Sequence, residues 1–168
     1  LTKSTAFGST LVGWLGFSDP AVIDQYKVWT LVTHVLVPSI HWFSVVINCL
    51  MLYFFATELE DWWGSRRMAV FFVAAALGAG LFSLAVSFLT PVAAAGARPL
   101  VVAAISAWGL VFRDRVTSLF GLVEMKGIHF VWLSLAFVGL DALSYGLTTI
   151  VPRLGAIAVA VGLSMGLW

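Results

Sequence analysis

From Met68 to Leu89 the chain carries no charged side chain, and a run of that length has one stable home. A helix crossing the hydrocarbon core of a bilayer needs about 20 apolar residues. Four further apolar segments accompany this one: Trp42 to about Thr57, Leu100 to Phe112, Ile128 to about Thr149, and Leu154 to Trp168. Only 10% of the 168 residues are charged and 61% are apolar, against about 25% charge in a soluble domain. The pattern predicts an all-α polytopic membrane protein with five visible spans. The segment from Leu100 is short for a full crossing. It is tolerable only if one end lies inside protein, because unbonded backbone groups are costly in hydrocarbon.

Charge orders the loops. Arg66 and Arg67 fall between the first and second spans, and Arg113, Arg115 and Lys126 between the third and fourth. The bias of basic residues toward the cytoplasm places both loops there. The loop from Thr90 to Gly96 and the turn at Pro152 then face the other way, with Arg98 and Arg153 as basic exceptions. Residues 1–41 share that far side. They are too polar for a span and too apolar for a free tail, and read as a large non-cytoplasmic loop with short helices at the membrane surface. Residues 42–168 form the transmembrane bundle. The formal charge of +1 says nothing about nucleic acid, and no basic run suggests it, so none is expected as a partner. Cys49 is the only cysteine, so no intrachain disulfide can form. Eight tryptophans and thirteen phenylalanines suit a protein anchored at membrane interfaces. The first residues lack the basic start and apolar core of a signal peptide.

One block is distinctive. Asn48 to Gly80 reads NCLMLYFFATELEDWWGSRRMAVFFVAAALGAG. Its Asn48, Glu58, Glu60, Gly64, Ser65, Arg66 and Arg67, followed by Gly-Ala-Gly at 78–80, resemble the second and third helices of rhomboid intramembrane proteases at matching spacing. Ala56 stands where that family has a glycine. Upstream, Val28–His34 resembles the opening of the family's large first loop, with Thr30 in place of an arginine. Downstream, GARPLVVAAISAWGLVFRDR (Gly96–Arg115) tracks the family's nucleophile-bearing helix. The resemblance covers about residues 13–168. It implies a rhomboid-like bundle of six helices, the first lying before Leu1.

The same resemblance implies that the chemistry is gone. A rhomboid needs a serine hydroxyl activated by a histidine, and polar donors for the oxyanion. The serine position holds Arg98, followed by Pro99. The histidine position on the last helix holds Gly155. The oxyanion histidine, four residues before the asparagine, is Ser44, and only Asn48 remains. The chain is therefore expected to be no enzyme.

Other residues carry competing readings. Ser106 is the only serine in the third span and reads as a packing residue. His34 and His41 lie seven apart and could stack as metal ligands, but no metal or other cofactor is expected. His129 reads as interfacial. Glu58, Glu60 and Asp61 read as pins for the turn, through Arg66 or Arg67. Gly162 and Gly166 form a small-residue face for close packing of the last helix, or for dimerisation. Arg98 and Asp141 are charges within the membrane, where insertion costs about 2.5–3.5 kcal/mol each. Either Arg98 fills the former active-site cavity and pairs with Asp141 or with loop carbonyls, or it snorkels to the outer surface.

What the resemblance implies is a pseudoprotease like derlins and other inactive rhomboid relatives, binding or routing transmembrane proteins without cleaving them. The alternative is a permanent structural subunit of a larger membrane complex, and the remote one an active intramembrane serine protease. A client binder should keep a lateral opening between the first and fourth spans. A fixed subunit should bury Trp62, Trp63, Phe71 and Phe72 against partners. The membrane is either a bacterial inner membrane or that of a eukaryotic organelle.

Overall fold

The apolar segments become helices, and the residues between them decide where each one stops. A computed structural model describes residues 14–15, 17–18, 29–36, 42–90, 92–94, 96–119 and 123–166. A short helix α1 (Thr30–Thr33), continued by a 3-10 turn His34–Leu36, precedes the bundle. The bundle itself is α2 (Trp42–Trp63), α3 (Ser65–Ser87), α4 (Arg98–Val111), α5 (Gly127–Tyr145) and α6 (Val151–Gly166). A second 3-10 turn, Leu147–Ile150, joins α5 to α6.

Several boundaries differ from the predicted ones for local reasons. Helix α2 runs past Thr57 to Trp63, since nothing in Glu58–Trp63 opposes helix. It stops at Gly64, whose φ of +83° is open to glycine and disfavoured for other residues. That single residue turns the chain, and Ser65, Arg66 and Arg67 already form the first turn of α3. Pro152, read as a turn, is the second residue of α6, where its missing N–H is harmless. Arg153 is therefore helical.

Two small ladders accompany the helices. β1 (Phe17–Ser18) pairs antiparallel with β2 (Ala93–Ala94), Phe17 opposite Ala94. β3 (Val116–Leu119) and β4 (Val123–Lys126) make a hairpin from Val116 opposite Lys126 to Leu119 opposite Val123. The basic connection between α4 and α5 is thus partly β structure.

Three helical stretches are long and apolar enough to cross a membrane: Phe43–Trp63, Ser65–Ser87 and Leu147–Met165. The five predicted spans therefore resolve into these three and two shorter apolar helices, Arg98–Val111 and Gly127–Leu143. At 1.5 Å per residue α4 reaches about 21 Å, against roughly 30 Å of hydrocarbon. Its surroundings explain why it can be short. It packs on α2, α3, α5 and α6, and Ala103, Ala104, Ser106 and Ala107 are fully buried on it.

The core lies at the α2–α3 turn end. Trp108 of α4 meets Phe55 of α2 and Phe130 of α5 edge to face, with ring centroids 5.4 and 5.1 Å away. Phe71 and Trp63 complete this cluster from inside. Those two rings are thus part of the chain's own core and not a face for outside partners. Phe72 is half-buried, and Trp62 stays 69% exposed.

The Gly-Ala-Gly of α3 serves two sides at once. A Cβ on Gly80 would collide with the backbone of Leu31, and one on Gly78 with the side chain of Val159. Glycine there lets α1 dock on one face of α3 and α6 on another. Residues 29–36 are consequently seated in the bundle, with Thr30, Leu31, His34 and Val35 buried.

Candidate functional site

Four helices deliver four polar side chains to one cavity of about 110 Å³: Asn48 from α2, Arg98 from α4, Asp141 from α5 and Arg153 from α6, with Val101 and Phe137 among its apolar walls. Asp141 stands one turn before the end of α5, and Arg153 near the start of α6. The turn between them brings the two helices back against each other, and an Nη1 of Arg153 donates to Oδ2 of Asp141. The Arg153 side chain is only 7% exposed. Buried charge of this kind persists when it is paired.

Arg98 opens α4. The residue two before it, Gly96, is buried with φ +107°. Its N–H donates to the carbonyl of His34 at 2.8 Å, so the docked 29–36 segment fixes where α4 begins. From there Nη1 of Arg98 lies 3.9 Å from the Asp141 oxygen that Arg153 already occupies. That is Coulombic contact, beyond hydrogen-bond range. The side chain is 45% exposed. One carboxylate thus stands between two guanidinium groups, and the cluster keeps one positive charge in excess. The Arg98–Asp141 relation was legible in the sequence; Arg153, the closer partner, was not, because Pro152 disguised its helix.

Gly155 is buried, and a Cβ there would fall against the carbonyl of Gly78 and 2.7 Å from Cβ of Phe82. The α3–α6 contact leaves no room for an imidazole at that position. Ser44 is half-buried on α2. Ser106 is fully buried, with its hydroxyl 3.2 Å from that of Ser134. Ser134 donates to the Val131 carbonyl at 2.8 Å, which leaves Ser106 to donate to Ser134. Its proton goes to another hydroxyl and not to a base.

Two carboxylates of the acidic turn reach partners other than Arg66 and Arg67. Glu58 binds Arg115 at 2.7 Å and accepts the Trp108 indole N–H at 2.5 Å. It therefore ties α2 to α4 and to the head of the β3–β4 hairpin. Glu60 accepts the Ser65 hydroxyl at 2.6 Å across Gly64, while Asp61 is exposed, as are Arg66 and Arg67. The small-residue face of α6 also shifts. Gly162 is exposed, with nothing within 4 Å of an added Cβ, and the close packing falls to Gly155, Ala156 and Ala160. Gly166 ends α6.

His34 is fully buried, its Nδ1 donating to the Thr30 carbonyl at 3.1 Å. Burial holds its pKa below the ordinary 6.5. His41 lies outside the described residues. His129 is exposed near the Lys126 carbonyl.

A family model matches residues 2–165, nearly the whole chain and every residue of the cavity. The chain belongs to that family, Eukaryotic integral membrane protein (DUF1751). No curated protein matches it. Membership in DUF1751 and the three long apolar helices agree that this is a multi-pass integral membrane protein. The eukaryotic description of DUF1751 also bears on the choice of membrane that the sequence left open.

Proposed function

We propose that the chain is a rhomboid-like pseudoprotease, which binds or routes other transmembrane proteins without cleaving them. In this reading all five bundle helices sit in the membrane, with α4 sheltered by its neighbours. One observation carries it: the position that resembles the rhomboid nucleophile holds Arg98, tied electrostatically to Asp141. Gly155, at the position of the general base, supports the reading because the Gly78 backbone occupies the space a histidine would need. Asn48, the retained oxyanion asparagine, lines the same cavity. Without a nucleophile it serves as a polar wall.

The cleft between α2 and α5 is the place for a client. Phe55 and Phe130 close it at one end, with centroids 5.8 Å apart. Toward the other end Asn48 and Phe137 stand on its two sides and line the cavity. A permanent structural subunit is the second reading. It draws on α2, which buries only 11% of its apolar window and so offers a broad face to lipid or to a neighbour.

Gentle detergent extraction, capture of this chain and mass spectrometry with stoichiometry test the proposal. Many membrane proteins at substoichiometric ratios support client handling. A fixed set at constant ratio makes the chain a structural subunit.

A further inference from the structure

We propose that the Arg98–Asp141–Arg153 cluster recognises a carboxylate on a partner's transmembrane helix seated between α2 and α5. This rests on the reading that the protein holds transmembrane segments, and it names what is read on them.

Charge is the first argument. Two guanidinium groups share one carboxylate, and the buried Arg153 takes its hydrogen bond. Arg98 stands 3.9 Å away, 45% exposed on the cavity wall, with five N–H donors to place. A second carboxylate would bring the cluster to neutrality. A charge within the membrane is costly unless paired, so the excess positive charge favours an anionic occupant over a neutral one. A carboxylate suits the planar guanidinium fork, which can bind it through two parallel hydrogen bonds.

Depth is the second argument. Asn48 comes five residues after the start of its apolar stretch at Phe43, and Arg153 six after Leu147. At 1.5 Å per residue, both lie roughly 7–9 Å inside the ends of those stretches. Lipid phosphates belong to the headgroup layer outside the hydrocarbon. An Asp or Glu side chain on a helix lying in the cleft reaches this depth directly. The α5 wall suits such a helix too, since Phe137 and Leu140 are exposed apolar side chains.

The probe is a leucine–alanine transmembrane peptide carrying one Asp about five residues from the outer end of its apolar stretch. Two controls carry Asn or Leu at that place. Binding to the whole chain is measured by fluorescence in phosphatidylcholine nanodiscs, then repeated with phosphatidylglycerol added. The Asp peptide should bind at least about tenfold tighter than the Asn peptide, the scale of a charge-assisted pair. Arg98→Gln should bring it down to the Asn level, and Arg98→Lys should keep part of the preference. Equal binding of all three peptides overturns carboxylate recognition and leaves the helix-holding reading intact. Binding of none overturns both. Loss of the Asp preference when phosphatidylglycerol is present overturns the proposal by making the anion a lipid headgroup. Should Arg98→Gln fail to fold, the Asp-against-Asn comparison on the unaltered chain remains decisive.

Discussion

Arg153 hydrogen-bonds the same Asp141 oxygen that Arg98 approaches to 3.9 Å, so a single carboxylate balances charge from both α4 and α6. Two consequences follow. Asp141 is structural for Arg153 and electrostatic for Arg98, and the two arginines differ in what their loss should cost.

Removing Asp141 strands a guanidinium that is 7% exposed. Asp141→Ala should destabilise the protein toward the low end of about 3–5 kcal/mol, the range for breaking a buried pair from one side. Arg98→Gln should cost clearly less, because at 3.9 Å its contact with Asp141 is beyond hydrogen-bond range and breaks no buried bond. Thermal unfolding in detergent checks both, and equal losses would contradict the unequal sharing.

Gly155 and Gly162 make a paired test on one helix. Gly155→Ala drives a methyl into the Gly78 backbone and should cost about 1–3 kcal/mol by overpacking. Gly162→Ala meets open space and should be neutral or stabilising by up to about 1 kcal/mol through helix propensity. Melting temperatures of the two variants should move in opposite directions or at least separate clearly.

Glu58 couples α2 to Trp108 and Arg115. Glu58→Leu leaves the indole N–H without this acceptor and should cost about 1–3 kcal/mol. Glu58→Gln keeps an acceptor oxygen and should cost less. Chemical denaturation of both variants measures the difference.

His34 gives a pH dependence with a definite sign. Its folded pKa is held below the 6.5 of the exposed imidazole, so below pH 6.5 the unfolded chain binds more protons than the folded one. Stability from the neutral, buried ring is fully present above pH 6.5 and falls as pH drops through the window beneath it. Hydrogen exchange of residues 29–36 and of the Gly96 amide should quicken on acidification. His34→Gln should flatten that dependence.

The helical bundle was legible because apolar length is a direct signal, and Gly64 and the Gly-Ala-Gly of α3 marked a turn and a close packing. Length alone does not place every helix, however. Three helices are long enough to span, while α4 owes its position to enclosure by four neighbours, a tertiary fact. Arg98 and Asp141 stood out as intramembrane charges. Arg153 did not, since a proline before it resembles a turn until the helix start is known. Likewise nearness in sequence points Glu58 to Arg66 or Arg67, but α4 passes alongside and brings Arg115 to 2.7 Å. Gly155 and Gly162, seven apart, share a face of α6, and only the tertiary structure shows that α3 meets this face at Gly155 and not two turns further on.

Holding transmembrane segments without cutting them is the proposed role of the cavity. The direct measurement is to reconstitute the chain in liposomes with a labelled transmembrane substrate, follow the substrate for cleavage, and recover complexes by crosslinking. The substrate should stay intact and crosslink to α2 or α5. Cleavage that persists on rigorous purification and disappears on Ser106→Ala would contradict it.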